Sequence, residues 1–497
     1  VKGSGGTSKD NGAEINIQTD GDIHLEQGAA LKVEGNYAQA TINSRGGNVV
    51  LNEDAKVKVV DGSTPVWVDV TGNNVQLDAR AQLDSGTDTV GALRVHTDKI
   101  ITPTADDNTT NIVGKSGLVI TRKTQGDLTL NNTAAGAGLH ITSDQLNGKL
   151  FGNQFVELVL GDDNSTAVMI DGLKANNRVV VKTAESGKAV IGTGGLKVGT
   201  DGSGNPYNVT LTTGSIENPG GGTMEIGMGA ALNLYTNSIA NLGSAAAGGP
   251  SVTGTGTLGI GTFNGTKSIG LGDSATGDLL LTNNKFSNVF GTGFSHYSIG
   301  NDKQDTINVS DSSLGQNTTL QAKHINFTGD MTLASGKILT VNALQDARQT
   351  AGKIKTNNLA VISSSLNRDG SVAAAGGSIT LDKDNEIGTL AADAYAVNVK
   401  SNKLTIGTIT TPAGAPVPSR TISGVKAGVN GANKGNIKLA ADEMTFSEAV
   451  SGKGALELEQ ATAGTAINIG KSGTGLTLGA DLFGGNKIKD GFEHVYL

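Results

Sequence analysis

Six histidines, His24, His96, His140, His296, His324 and His494, are the side chains best suited by type to proton transfer or metal binding at neutral pH. Their spacing supports neither. No two fall at a metal-ligand interval, and no HExxH occurs. His296 and His494 share one position in a repeated phrase, but 198 residues separate them, so they read as solvated side chains. The acidic turns GDDNST (161–166) and GNDKQD (300–305) carry oxygens of the kind calcium uses. Calcium needs about six to eight oxygens converging, and the GGxGxDxUx pattern that arranges them in stacked turns is missing. TDGSGNPYN (200–208) begins like an EF-hand loop and lacks its closing Glu. Ordinary Asp/Asn turns are expected at these places, with calcium as the alternative.

Glycoside cleavage requires two carboxyl groups at a fixed separation, one to protonate the leaving oxygen and one to attack or to activate water. The 46 Asp and Glu fall largely in turns, and no spacing rule sets two of them opposite each other. Aromatic platforms for sugar rings are scarce too: the lone tryptophan, Trp67, lies in VWVDV. No catalytic residue, cofactor site or metal site is expected.

The elements that would position such groups are short. INI (15–17), IHL (23–25), LKV (31–33), VVL (49–51), VKV (57–59), VWVDV (66–70) and VQL (75–77) alternate apolar with polar, several of them 8 or 9 residues apart. That period is a half-buried strand, and the Gly, Asn and Asp between supply turns. The texture continues through LTL (128–130), VVV (179–181), LNL (232–234), LTI (404–406), IKL (437–439) and ALEL (455–458). One segment, LQDARQTAGKIK (344–355), is a candidate short helix, although Gly352 and the missing apolar stripe count against it.

Composition narrows the architecture. Gly makes up 73 of 497 residues and Pro only 8, which excludes collagen and Pro-rich linkers. Cys is absent, so no disulfide framework holds the chain. The net charge of −8 is spread along the chain without a basic stripe, so nucleic acid is not an expected partner. No apolar run is long enough for a membrane-spanning helix. Sandwich domains need longer strands and aromatic or disulfide anchors. Very short strands with small aliphatic cores and Gly/Asn turns fit a parallel β-helix instead, all-β, over 1–497 as one continuous shaft. Three strand-plus-turn units make a coil of roughly 25 residues, hence roughly 20 coils and a rod of roughly 95 Å at about 4.8 Å per coil.

Aromatic residues are not spread evenly. LFGNQFVELVLG (150–161), VFGTGFSHYSIG (289–300) and IKDGFEHVYL (488–497) restate one phrase, giving units that end near 161, 300 and 497. Related approaches precede them: GLHITSDQLNGK (138–149), DLLLTNNKFSN (278–288) and GLTLGADLFGGNK (475–487). Seven of the ten phenylalanines lie in these windows, which span about an eighth of the chain. Phe151, Phe155, Phe290, Phe294 and Phe492 are read as a structural repeat that forms a bulky corner or widens a coil. Alternation after Phe155, Phe294 and Phe492 sends Leu158 and Leu160, Tyr297 and Ile299, and Val495 and Leu497 inward. It sends Glu157 and Val159, His296 and Ser298, and His494 and Tyr496 outward.

These motifs resemble the recurrent units of filamentous-haemagglutinin-type bacterial exoproteins, the large adhesins and biofilm-matrix adhesins of two-partner secretion. The resemblance implies a right-handed parallel β-helix, export through an outer-membrane transporter, and a place on the cell surface or in the extracellular matrix. It implies adhesion or matrix building, with extracellular polysaccharide or a host or neighbouring-cell surface as partner and lateral self-association as a further contact. The Asn-Pro hallmarks of that family's secretion domain are not recognisable: Asn205-Pro206 and Asn218-Pro219 sit in Gly-rich turns. The chain, ending inside its phrase, reads as a shaft segment that works by geometry. The alternative is a β-helical protein that binds or cleaves carbohydrate, as tailspikes and lyases do.

Overall fold

Alternation of β-branched and polar residues gives strands whose aliphatic side chains share one face. In the strand Gln39–Ser44 (QATINS), Ala40, Ile42 and Ser44 are buried and the residues between them are half-exposed. The computed structural model describes residues 12–497 apart from 61–64, 88, 103–110, 131–137, 143, 153, 201–202, 241–250, 364–376, 414–417, 431–432, 471–472, 484–486 and 490. The described chain is nearly all-β, with a long parallel sheet of many strands. It divides into two compact units, Val1–Leu232 with Ile239–Thr255, and Asn233–Ser238 with Gly256–Leu497.

In the first unit, strands far apart in sequence stack in parallel and in register. One column runs Ile17, Ile42, Val70, Val95, Ile120, Leu160, Val181, Leu211, each residue directly paired with the next. From Ile42 onward every member of that column is fully buried. A second ladder stacks Leu25, Leu51 and Leu77, and a third stacks Leu31, Val57, Leu83 and Ile112. Leu173–Ala175, Leu196–Val198, Met224–Ile226 and Val252–Thr253 form another ladder further along. Each such aliphatic contributes about 1.5–3 kcal/mol on burial, so stability is distributed along the columns.

The second unit repeats the arrangement. Its main column is Ile260, Ile299, Leu320, Val341, Val361, Ala392, Val425 and Val450, again paired one to the next in parallel. The chain returns to this column after 39 residues from Ile260 to Ile299, then after 21 and 21 to Leu320 and Val341.

Some strands keep the short length read from the sequence, as Ile23–Leu25 and Val49–Leu51 do, and others are longer. Val66–Leu77 joins VWVDV and VQL into one strand, because the backbone stays paired with Gly91–Ile101 on both sides of Gly72. Gly72 leaves room for close approach there: a Cβ would lie a tight 3.0 Å from the Asn74 carbonyl oxygen and 3.1 Å from the Val49 amide. The helix expected at 344–355 is not formed. The segment belongs to the strands Ile338–Gln349 and Ile354–Ile362, joined at Gly352 with φ +72. Ala343 and Ala347 pair with Ala322 and Ile325 in the stack, and that period-two burial outweighs the helical preference of isolated residues.

Candidate functional site

The three copies of the repeated phrase fold alike. In each, two strands pair in parallel across a very short connection: Leu128 with Leu139, Ile269 with Leu279, and Ile467 with Leu476, separations of 11, 10 and 9 residues. A helical turn follows, a π-helix at Gln145–Lys149 and Lys285–Val289 and a 3₁₀ turn at Ala480–Phe483. The chain then rejoins the main ladders in Glu157–Leu160, His296–Gly300 and His494–Tyr496. The whole phrase lengthens one return to 40 residues between Leu118 and Leu158, and to 39 between Leu258 and Tyr297 and between Leu456 and Val495.

Phe151, Phe155, Phe290 and Phe294 are at most 3% exposed, whereas Phe492 is half-buried. In the second copy the rings form a cluster, Phe286 lying 5.7 Å from Phe290 and 4.9 Å from Tyr297. Asp278 ties this loop to the strand before it, its carboxylate accepting hydrogen bonds of 2.8 Å from both the amide and the hydroxyl of Ser268. Those bonds hold its pKa below the usual carboxylate value. In the third copy Val495 and Leu497, expected to point inward, are exposed. Their strand pairs with Ala455–Glu459, and no described strand of the chain lies on its other edge.

His296 and Ser298, expected outward and solvated, are fully buried. An antiparallel hairpin, Thr408–Thr410 with Thr421–Ser423, lies in the same unit and brings Ala413 to the His296 ring. Its Ile409 and Ile422 pack on Ala360, Ile362 and Ala391, with Ile338 beside them. Arg420, next to the hairpin's second strand, forms an ion pair with Asp393. The Ala413 backbone faces the His296 ring without completing a hydrogen bond to Nδ1. Across the ring, Nε2 lies 2.9 Å from the Thr319 hydroxyl.

The columns beside His296 are polar and uncharged. Ser298 pairs with Thr319 and Thr319 with Thr340 in one column, and Gln321 pairs with Asn342 in the next. Ser298 Oγ, Thr340 Oγ1, Gln321 Oε1 and Asn342 Oδ1 are buried without a hydrogen-bond partner. Each such group costs about 1–3 kcal/mol when desolvated. Replacing Ile409 and Ile422 together by alanine removes the hairpin's apolar anchor, at about 2–5 kcal/mol per site. Hydrogen exchange is expected to quicken in the hairpin while amides of the Ile299–Leu320–Val341 column stay protected. Uniform loss of protection would show instead that the hairpin is inseparable from the stack.

Burial holds His296 below the ordinary histidine pKa, and it does the same to His96 in the first unit. Below about pH 6.5 the unfolded chain therefore takes up protons that the folded chain resists, and stability falls as the pH drops. Urea midpoints measured between pH 7 and pH 5 are expected to fall less in His296→Gln than in the parent. Equal falls in the two proteins would remove His296 from the account.

A groove of about 430 Å³ lies on another face of the second unit, floored by Leu333 and Ile387 and edged by Lys355, Asn357, Glu386, Asn402 and Lys403. Glu386 pairs with Lys353 at 2.9 Å and Lys355 at 3.3 Å, and Lys403 pairs with Glu443 at 2.6 Å. Hydrogen bonds from Lys353 and Lys355 keep the Glu386 carboxyl below its usual pKa, so it is ionised at neutral pH and a poor general acid. Glu386 is the one carboxylate among the groove's described lining residues. The arrangement can bind hydroxyls and charges.

No family model, curated protein or solved structure matches the chain. The functional reading therefore rests on geometry. Among the described residues no three His, Asp or Glu converge as a metal site would require. The acidic turns close on themselves: Asp162 Oδ1 accepts from the Asn164 amide at 3.0 Å, and Asn301 Oδ1 from the Lys303 amide at 2.8 Å. His494 stands exposed with its ring 5.8 Å from that of Tyr496. In TDGSGNPYN, residues 201–202 lie outside the described residues.

Sequence reasoning missed the hairpin and the buried amide Asn385. The hairpin's alternation, TIT and TIS, was a legible signal; that it would reach the His296 ring was not.

Proposed function

We propose that this chain is a right-handed parallel β-helical shaft segment of roughly 20 coils, from a secreted bacterial surface or biofilm-matrix adhesin. The observation that supports it best is the pair of long aliphatic columns, in which parallel strands stack in register turn after turn. Such an array gains stability from repetition and holds an extended form without a central site. The resemblance of the phrases at 150–161, 289–300 and 488–497 to the filamentous-haemagglutinin type carries the rest: export through an outer-membrane transporter, attachment or aggregation of cells, and extracellular polysaccharide or a cell surface as partner. Two measurements test the proposal. Electron micrographs of the purified chain should show smooth rods, and beads coated with it should be retained on bacterial or polysaccharide-coated surfaces. Globular particles would sink the shaft reading, and beads retained no better than uncoated ones would sink the adhesive one.

The groove beside Glu386 supports a second reading, a β-helical protein that binds carbohydrate along one face. Its lysines favour acidic sugars. Retention on an acidic polysaccharide column that is abolished by Lys355→Ala with Lys403→Ala would support this reading. Release of new reducing ends from the polysaccharide would add cleavage to it.

A further inference from the structure

Three parallel strands of the second unit, Ile437–Ala440, Ala455–Glu459 and His494–Tyr496, stack in register. Leu456 and Leu458 are buried, so alternation sends Glu457 outward, and with it its register partners Lys438 and Tyr496. His494 pairs with Ala455 in the neighbouring column. Among the described phenylalanine, tyrosine and tryptophan side chains only Phe483 and Tyr496 are exposed, Tyr496 the more so at 54% against 42%. The Tyr496 ring lies 5.8 Å from the His494 ring at an interplanar angle of 35°, so the two make one shallow platform. Tyr496 also edges a groove of about 330 Å³ lined by Asn436, Ile437, Lys438, Ala455 and Glu457. Ala455 is the smallest of these side chains and keeps the groove from being filled. Asn436 is fixed by its Oδ1, which accepts from the Ala455 amide at 2.8 Å. Lys438 is held between Glu457 at 3.2 Å and Glu459 at 2.8 Å.

We propose that this groove binds one uncharged pyranose ring of a polysaccharide. A pyranose presents a face of C–H groups, whose partial positive charge is drawn to the negative face of an aromatic ring. Around that face runs a rim of hydroxyls that both donate and accept. Tyr496 offers the platform, while Glu457 accepts and Lys438 donates at the groove's edge. Ion pairs already fix both groups, so little ordering is left to the moment of binding. The volume falls within the range of about 300–1,000 Å³ that small-molecule sites occupy. One lysine faces two glutamates here, which disfavours a carboxylated or sulfated sugar. The groove beside Glu386, with Lys355 and Lys403 on its edge, has the opposite preference. The assignment rests on the polysaccharide partner proposed above and gives it a point of contact.

Methyl glucoside, methyl galactoside and methyl mannoside are the probes, each titrated into the full chain and followed at the ring protons of His494. At least one of them is expected to give saturable shifts, with a dissociation constant on the order of millimolar. For that sugar Tyr496→Ala is expected to weaken binding at least about tenfold, and Tyr496→Phe, which keeps the ring, to change it less than about threefold. Ala455→Leu fills the groove without touching the platform and is expected to abolish binding. Lys355→Ala with Lys403→Ala is expected to leave the pyranoside affinity unchanged, which separates this site from the acidic-sugar groove. Saturable binding by a chain whose coated beads fail to stick would support this site and sink only the adhesive reading. Absence of saturable shifts with all three sugars would overturn the assignment. So would undiminished binding in Tyr496→Ala or Ala455→Leu, or glucuronate bound more tightly than every neutral pyranoside.

Discussion

Phe294→Ala is expected to lower the stability of the second unit by about 3–5 kcal/mol, whereas Phe492→Ala costs under about 1 kcal/mol. The two residues hold the same place in the phrase and differ in what covers them. Phe294 is fully buried, and the strand that follows it, His296–Gly300, carries Tyr297 and Ile299, which stack on Leu258 and Ile260 on one side and on Thr318 and Leu320 on the other. Truncation there removes a large apolar surface and leaves a hole that stacked strands on both sides cannot close. Phe492 lies against Gly452, where a Cβ would come 2.7 Å from its ring, and it remains half-buried. The strand that follows it, His494–Tyr496, pairs with one described strand, so water enters the vacated space at little cost. Urea unfolding with hydrogen exchange as the local probe separates the two variants. Equal losses would mean that the phrase is held by its glycines and turns and not by its rings.

Asn385→Ala is expected to cost a comparable 3–5 kcal/mol or so, without removing any apolar contact. Asn385 is fully buried within the strand Ser378–Ala394 and uses both ends of its amide. Its nitrogen donates to Gln349 Oε1 at 3.0 Å and to the carbonyls of Leu381 and Lys400, each at 3.1 Å. Its oxygen accepts from Gln349 Nε2 and from the Ile354 amide, each at 2.8 Å. Alanine strands these groups out of reach of water. Asn385→Asp refines the test, because a carboxylate would face the two carbonyls that the amide nitrogen now serves. Its folded-state pKa should rise above the unfolded value of about 3.9. A raised pKa leaves the variant closest to the parent below about pH 4 and progressively weaker as the pH climbs through the folded value. A pH-independent difference between parent and variant would show that the carbonyls turn away.

The strands were legible because their burial is local: INI, VVL or LTL alternates, and alternation at period two needs no partner to be recognised. The phrase was legible because phenylalanine is rare elsewhere. What escaped depended on another part of the chain. His296 and Ser298 fall at outward positions by alternation, but nothing near residue 296 announces that a hairpin more than a hundred residues later will reach the His296 ring. Asn385 sits among Asp and Lys in LDKDNEIG and reads as a turn residue, and only its pairing with Gln349 makes it a core group. The segment 344–355 misled for the opposite reason, since its helix-forming residues were read without the ladder that claims Ala343 and Ala347.

The strands on either side of each inserted phrase meet the same column in plain register, Leu118 on Leu158 and Leu258 on Tyr297, as though nothing lay between. A phrase therefore adds chain without shifting any neighbour. At the level of the gene, recombination between two copies could delete or duplicate a whole phrase with the turns beside it and leave the reading of every remaining column unchanged. Length then becomes a quantity that selection can adjust in whole steps, free of the compensating mutations a globular core would demand.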